Sequence, residues 1–362
     1  MAGLGLLTTF KAPAWLDWRL AILAGEFGTM VALVPLAIFA LEAWRAENSV
    51  LSTLTLAAAG VAAALLFKPV FQAGRLARLL PGRLEAAFGP AEPSRPPFAF
   101  TALFAGEPKP IATETMIYSG NLALDFYRAR GRTPAPCVIV LHSGGWNSGD
   151  RGELPSLDRW LAARGYAVAA LSYRLAPQST WPAQRDDVVE AVAFLRAHAG
   201  PLGIDPARLV LFGRSAGGQI AEAAAYGVPG LALRGVIALY APADLNFAYA
   251  FGKEDDVLKS PLLLRQLLGG PPATARAAYD SASAILHVTP ASPPTLLLHG
   301  QLDDLVWHRQ SERLDQRLTD AGVPHVFISL PWATHAFEYN LCGPGGQLTT
   351  FAVEWFLAAT TK

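Results

Sequence analysis

The chain has 362 residues and sets 29 Lys+Arg against 29 Asp+Glu, a formal net charge of zero. That balance, without a basic stripe, argues against nucleic-acid binding, and two cysteines establish no disulfide framework. A 52% hydrophobic content and a mean hydropathy of +0.29 exceed what a soluble enzyme usually carries.

The apolar excess is concentrated at the front, where residues 1–70 read as a membrane hairpin. Leu20 to Leu41 is mostly apolar and interrupted by Glu26, and Val50 to Phe67 carries no charge. At ~1.5 Å per residue these reach about 33 and 27 Å, against a hydrocarbon core of roughly 30 Å. The link from Glu42 to Asn48 is short and polar, with Trp44 suited to the headgroup belt. Glu26 is the discordant residue, expected either to face the partner helix, where Ser52, Thr53 or Thr55 would donate to it, or to mark a partner contact. The first stretch is too long and starts too far in for a cleaved signal peptide, and a second span follows. Lys11 and Arg19 precede the hairpin, Arg45 lies in its turn, and Lys68, Arg75, Arg78 and Arg83 follow. The positive-inside rule then puts both termini and the C-terminal domain in the cytoplasm.

Residues 71–110 read as an amphipathic helix able to lie on the membrane surface, then a semi-rigid linker around Pro90, Pro93, Pro96 and Pro97. From 111 to 362 strand-like and helical runs alternate, as a mostly parallel sheet covered on both faces requires. Cys137 to Leu141 is the first buried-strand run, and it leads into His142-Ser143-Gly144-Gly145-Trp146. A glycine pair there lets the backbone turn N–H groups toward a developing negative charge, so Gly144 and Gly145 are assigned to an oxyanion hole. His142 is read as a brace for this loop. Ala167 to Tyr173 is the next strand, followed by a helix from Asp187 to Ala199, with Asp186 and Asp187 read as surface charges or as a pair at its N-terminus.

The strand Arg208 to Phe212 then enters Gly213-Arg214-Ser215-Ala216-Gly217, and a helical stretch follows. Strand, sharp turn and helix with a serine at the apex is the nucleophile-elbow pattern, in which glycines permit close packing and the serine holds a strained backbone. Ala216 N–H joins the oxyanion hole. Gly235 to Tyr240 is a further strand, and 243–290 is a helical insertion expected to pack over Ser215, with Phe247, Tyr249 and Phe251 either lining the pocket or packing in the core. Thr295 to Gly300 is a buried strand that delivers Asp303 at its carboxyl end. Asp304 competes for the same role, but the spacing from His299-Gly300 favours Asp303, and His299 itself is expected to bond loop backbone. The strand Val326 to Leu330 leads to His335, the candidate base. His198, His287, His308 and His325 have no metal-ligand spacing. Cys137 on a buried strand and Cys342 in a late loop fit a reducing compartment.

These residues, in the order Ser, Asp, His, resemble a carboxylesterase of the α/β-hydrolase superfamily, close to the hormone-sensitive-lipase-like and bacterial feruloyl-esterase-like branches. The resemblance covers roughly Tyr118 to the C-terminus and includes Tyr173-Arg174-Leu175-Ala176-Pro177 and Trp181 to Asp187. It implies an α/β-hydrolase fold and ester hydrolysis through an acyl-enzyme, with Ser215, Asp303 and His335 as the triad and neither metal nor organic cofactor. A small-molecule ester is the implied partner, and membrane tethering suits a lipophilic one. The alternatives are a small-amide hydrolase of aryl formamide type and a membrane-anchored binding module on an inactive hydrolase fold. One departure stands out: Ser143 occupies the second position of the family's H-G-G-G, which puts the shape of the hole in question.

Overall fold

Runs of Val, Ile, Leu and Ala too apolar to face water on either side form the centre of one eight-stranded sheet in the computed structural model, which describes residues 2–45 and 49–362. The strands are β1 (Thr113–Ser119), β2 (Leu122–Tyr127), β3 (Ala135–Leu141), β4 (Ala167–Leu171), β5 (Ile204–Arg214), β6 (Gly235–Leu239), β7 (Thr295–Gly300) and β8 (His325–Leu330). Their spatial order is β1-β2-β4-β3-β5-β6-β7-β8; β2 is antiparallel to both its neighbours β1 and β4, and β3 to β8 run parallel to one another. Strands β3, β4, β6 and β7 are buried along their whole length, as a sheet covered on both faces demands.

The N-terminal helices are α1 (Ala2–Leu6), α2 (Trp15–Glu26), α3 (Gly28–Val31), α4 (Leu33–Arg45) and α5 (Val50–Phe88). Within the sheet region lie α6 (Pro155–Ala162), α7 (Ala183–Ala197), α8 (Ala199–Leu202) and α9 (Ala216–Gly227). The insertion supplies α10 (Leu245–Phe251), α11 (Ser260–Leu268) and α12 (Pro272–Ala282), and α13 (Arg309–Asp320) and α14 (Pro344–Thr360) complete the chain. Alternation along β3 sorts the core into two layers. Cys137, Ile139 and Leu141 pack with Val188 and Val192 of α7 and Ile220 and Ala224 of α9. Val138 and Val140 pack on the other side with Trp160 of α6, Phe351 and Phe356 of α14, and Ala73, Leu80 and Leu84 of α5.

That last contact corrects the expected boundary near residue 70. Helix α5 is continuous for 39 residues, and its second half, instead of lying on a membrane surface, packs against α14 and the edge strand β8 as part of the same core. Its first half and α4 pack against each other while leaving Leu33, Val34, Phe39, Val50, Leu51 and Leu54 exposed. Gly28–Arg45 and Val50–Phe88 are each long and apolar enough to cross a membrane. The expected first span of 20–41 is divided, however, because α2 ends at Glu26 and the chain turns through α3 before α4 begins.

Glu26 also departs from expectation. Its carboxylate accepts from Gly345 N–H at 2.8 Å and Trp332 Nε1 at 3.3 Å, and its carbonyl accepts from Asn340 Nδ2 at 3.0 Å. Ser52 donates to Glu42 instead, and the Thr53 hydroxyl to Ser49 O. A carboxylate needing several donors finds them in the C-terminal domain, so α2 belongs to that domain's surface. The polar link expected at Glu42 to Asn48 extends past Arg45 into residues 46–48, which lie outside the described residues; Trp44, before them, is exposed.

Candidate active site

Ser215 follows β5 directly and precedes α9, with φ 50° and ψ −118°. A non-glycine residue at that φ is strained, and the surrounding bonds hold it there: its N–H donates to Leu239 O at 2.9 Å and its carbonyl accepts from Gln219 N–H at 3.1 Å. The elbow tolerates nothing larger than glycine at position 217, where a Cβ would overlap the carbonyl oxygens of Leu141 and His142. This close approach brings the start of α9 against the end of β3, so that Ala216 and Gly145 line one pocket with Ser215.

The loop after β3 is fixed from outside the pocket. Gly144 has φ 109°, and a Cβ there would overlap Ser148 O. His142 stacks on Tyr173 with ring centroids 4.1 Å apart, and Tyr173 OH donates to His142 O at 3.0 Å. Burial pushes the His142 imidazole below its ordinary value, and with its Nδ1 2.7 Å from Ser143 O it braces the loop. Ser143, the departure from the family pattern, sends both its N–H and its hydroxyl to Glu153. Its side chain is thereby engaged away from the pocket.

The candidate acid and base follow the carboxyl ends of the neighbouring strands β7 and β8. Asp303 is fully buried, and its Oδ2 lies 2.6 Å from His335 Nδ1. Its Oδ1 accepts from Leu305 N–H at 2.8 Å and Val306 N–H at 2.9 Å, and His299 Nε2 stands 3.2 Å from Oδ2. Burial alone would raise this carboxyl; His335 and His299 outweigh it and hold the group well below the usual carboxylate range. Asp304 turns instead toward Lys11, 3.3 Å away. His299 does bond loop backbone, at Val306 O, and touches Asp303 as well. The Tyr240 ring, at the end of β6, lies 4.2 Å from the His335 ring. Among the described residues no hydrogen bond joins Ser215 Oγ to His335.

The pocket has a volume of about 470 Å³ and is lined by Ser215, Ala216, Gly145 and Asp303 on the sheet side and by Phe247, Phe251 and Leu263 of the insertion. Phe247 stacks on Trp307 at 5.5 Å and meets Phe251 at 4.6 Å, forming an aromatic wall. Tyr249 instead packs edge-on against Tyr279 at 5.6 Å. Asp187 is a buried partner of Arg174, accepting its N–H and Nε, whereas Asp186 pairs with Arg185.

The model of the BD-FAE family matches residues 124–318, more than half of the chain and the whole elbow. The chain belongs to the BD-FAE family. This BD-FAE chain is 32% identical over 235 residues to the probable carboxylic ester hydrolase LipM of Mycobacterium tuberculosis, covering 62% of this chain and 54% of LipM. It is 29% identical over 227 residues to esterase LipQ of the same organism, covering 59% of this chain and 54% of LipQ. It thus spans about half the length of these curated relatives. Among solved structures, the Pyrobaculum calidifontis esterase superposes with a TM-score of 0.61 at 23% identity, covering 69% of this chain and 85% of that one. A bacterial heroin esterase does so with a TM-score of 0.59 at 22% identity, covering 69% and 83%. These likenesses establish the α/β-hydrolase fold.

The sequence marks Glu26 as discordant and Lys11 as a flanking charge but does not place either, or Trp18, beside the candidate site. Lys11 lines the pocket and donates to Asp303 O at 2.9 Å, Trp18 Nε1 donates to His335 O at 3.1 Å, and Glu26 ties down the loop beyond. Their separation from Asp303 and His335 by about 300 positions leaves no local signal for these contacts in sequence.

Proposed function

We propose that this BD-FAE protein is a membrane-anchored serine hydrolase that cleaves carboxylic esters through an acyl-enzyme. The observation that carries the reading is the buried Asp303–His335 pair, 2.6 Å apart, at the same carboxyl end of the parallel strands as the strained Ser215 elbow. His335 Nε2 takes the Ser215 proton as Oγ bonds to the ester carbonyl carbon, and Asp303 holds the imidazole tautomer. The backbone N–H groups of Ala216, Gly144 and Gly145 stabilise the tetrahedral oxyanion. Collapse expels the alcohol, which receives the proton from His335. Water then repeats the sequence on the acyl-enzyme, releasing the carboxylic acid and restoring Ser215. The aromatic wall and the apolar helix pair favour a lipophilic substrate.

The anchor in this reading is Gly28–Arg45, which joins α3 and α4, with the first half of α5. Basic residues Lys68, Arg75, Arg78 and Arg83 beyond the second span, against Arg45 between the spans, support a cytoplasmic hydrolase domain by the positive-inside rule.

The test is a nitrophenyl-ester chain-length series on the full-length protein beside Ser215→Ala. The variant is expected to lose at least about a thousandfold in kcat and all labelling by a fluorophosphonate. Equal rates for the two proteins would end the assignment. Faster turnover of an aryl formamide than of its matched ester would move the reading to amide hydrolysis, and a wild-type protein that neither labels nor turns over would be a binding module.

A further inference from the structure

We infer that the segment from Lys11 to Glu26, ahead of the candidate spans, is a positioning element of the active site: Lys11 and Trp18 set the loops that carry Asp303 and His335. The inference rests on the hydrolase reading above and adds to it residues that lie outside the family match at 124–318. Four contacts carry it. Lys11 Nζ donates to the backbone carbonyl of Asp303 at 2.9 Å and pairs with Asp304 at 3.3 Å. Trp18 Nε1 donates to the backbone carbonyl of His335 at 3.1 Å. Glu26 accepts from Gly345 N–H at 2.8 Å, at the start of α14. The chain just ahead of the segment is anchored to the long helix, since Lys68 of α5 donates to Thr8 O at 2.9 Å.

Each contact falls where the catalytic loops need restraint. The carboxylate of Asp303 is fixed by the N–H groups of Leu305 and Val306 in its own loop, but its carbonyl points outward and is held by Lys11. Asp304 would otherwise set a second carboxylate beside the Asp303–His335 pair with no cation opposite it; Lys11 supplies that cation. His335 is followed by Ala336 at φ 63°, a conformation a non-glycine residue keeps only when its surroundings over-determine it. The Trp18 indole is one of those determinants, bonded one residue earlier. A displacement of about 1 Å in a base can cost on the order of a hundredfold in rate, so these backbone bonds have leverage on turnover without touching the reacting atoms.

The experiment uses the full-length protein in detergent micelles, with active sites counted by the fluorophosphonate burst and kcat expressed per counted site. Misfolded molecules therefore drop out of the measurement. Lys11→Met and Trp18→Phe, the latter keeping the ring and losing the N–H, are each expected to lower kcat per site by about tenfold, with the KM of Trp18→Phe within about twofold of wild type. Lys11→Arg, which keeps the cation, is expected to recover most of the rate. Wild-type kcat per site in both Lys11→Met and Trp18→Phe, even with fewer counted sites, overturns the inference, because the segment would then only support folding. Failure of the hydrolase reading looks different: wild type itself would show no burst.

Discussion

At the scale of single residues, two neighbouring aspartates have opposite fates. Asp303 is enclosed, bonded to two backbone N–H groups and to His335, and held well below the ordinary carboxylate range, whereas Asp304 faces Lys11 at the pocket wall. Asp303→Asn keeps the shape but presents an amide that favours the wrong imidazole tautomer, and a fall in kcat of about 10³–10⁴ is expected. Asp304→Asn is expected to cost less than about tenfold, since it loses only a half-exposed ion pair. Steady-state kinetics of the two variants on one nitrophenyl ester checks both figures, and comparable losses would put the acid role in doubt.

At the scale of elements, the elbow's helix α9 carries a consequence for stability. Glu222 is buried on it, and burial raises its carboxyl to about 8 from an ordinary 4.5. Folded protein thus holds a proton that the unfolded chain releases. The stabilising effect is complete below the unfolded value and disappears as pH rises through about 8. Urea midpoints measured at pH 6 and pH 9 should fall with rising pH, and Glu222→Gln should flatten the slope; an unchanged slope would mean that Glu222 stays charged in the fold. Gly217→Ala belongs to the same element. Its Cβ would meet the carbonyls that end β3, and a loss of several kcal/mol, seen as a collapse of folded yield, is expected. Elements of this kind were legible in the sequence, because a strand buried on both faces is a continuous apolar run and a sharp turn demands Gly213-Arg214-Ser215-Ala216-Gly217. The antiparallel β1 and β2 were only dimly marked, since edge residues such as Glu114, Thr115 and Ile117 are partly wet. Glu26 misled because hydropathy reports a carboxylate in an apolar stretch and cannot report that Gly345, Trp332 and Asn340 fold back to meet it. The same blindness hid Lys11 and Trp18.

At the scale of the whole molecule, α5 joins what the sequence divides. Its first half is exposed and apolar enough to span a bilayer, and its second half buries Ala73, Leu80 and Leu84 in the core, against α14 and β8. A C-terminal domain begun at residue 111, the boundary that composition suggests, would strip that helix from α14 and the edge strand β8. Leu80 and Leu84 alone bury about 1.5–3 kcal/mol each, a large part of the roughly 5–15 kcal/mol that holds a typical domain together. The truncated chain 111–362 should therefore express as aggregate or unfold without a cooperative transition. A chain begun at residue 69 keeps all three residues and should regain cooperative melting, while still lacking Lys11 and Trp18. Thermal unfolding followed by far-ultraviolet circular dichroism distinguishes the two truncations, and equal, cooperative melting of both would show that α5 only tethers the hydrolase domain and does not help to build it.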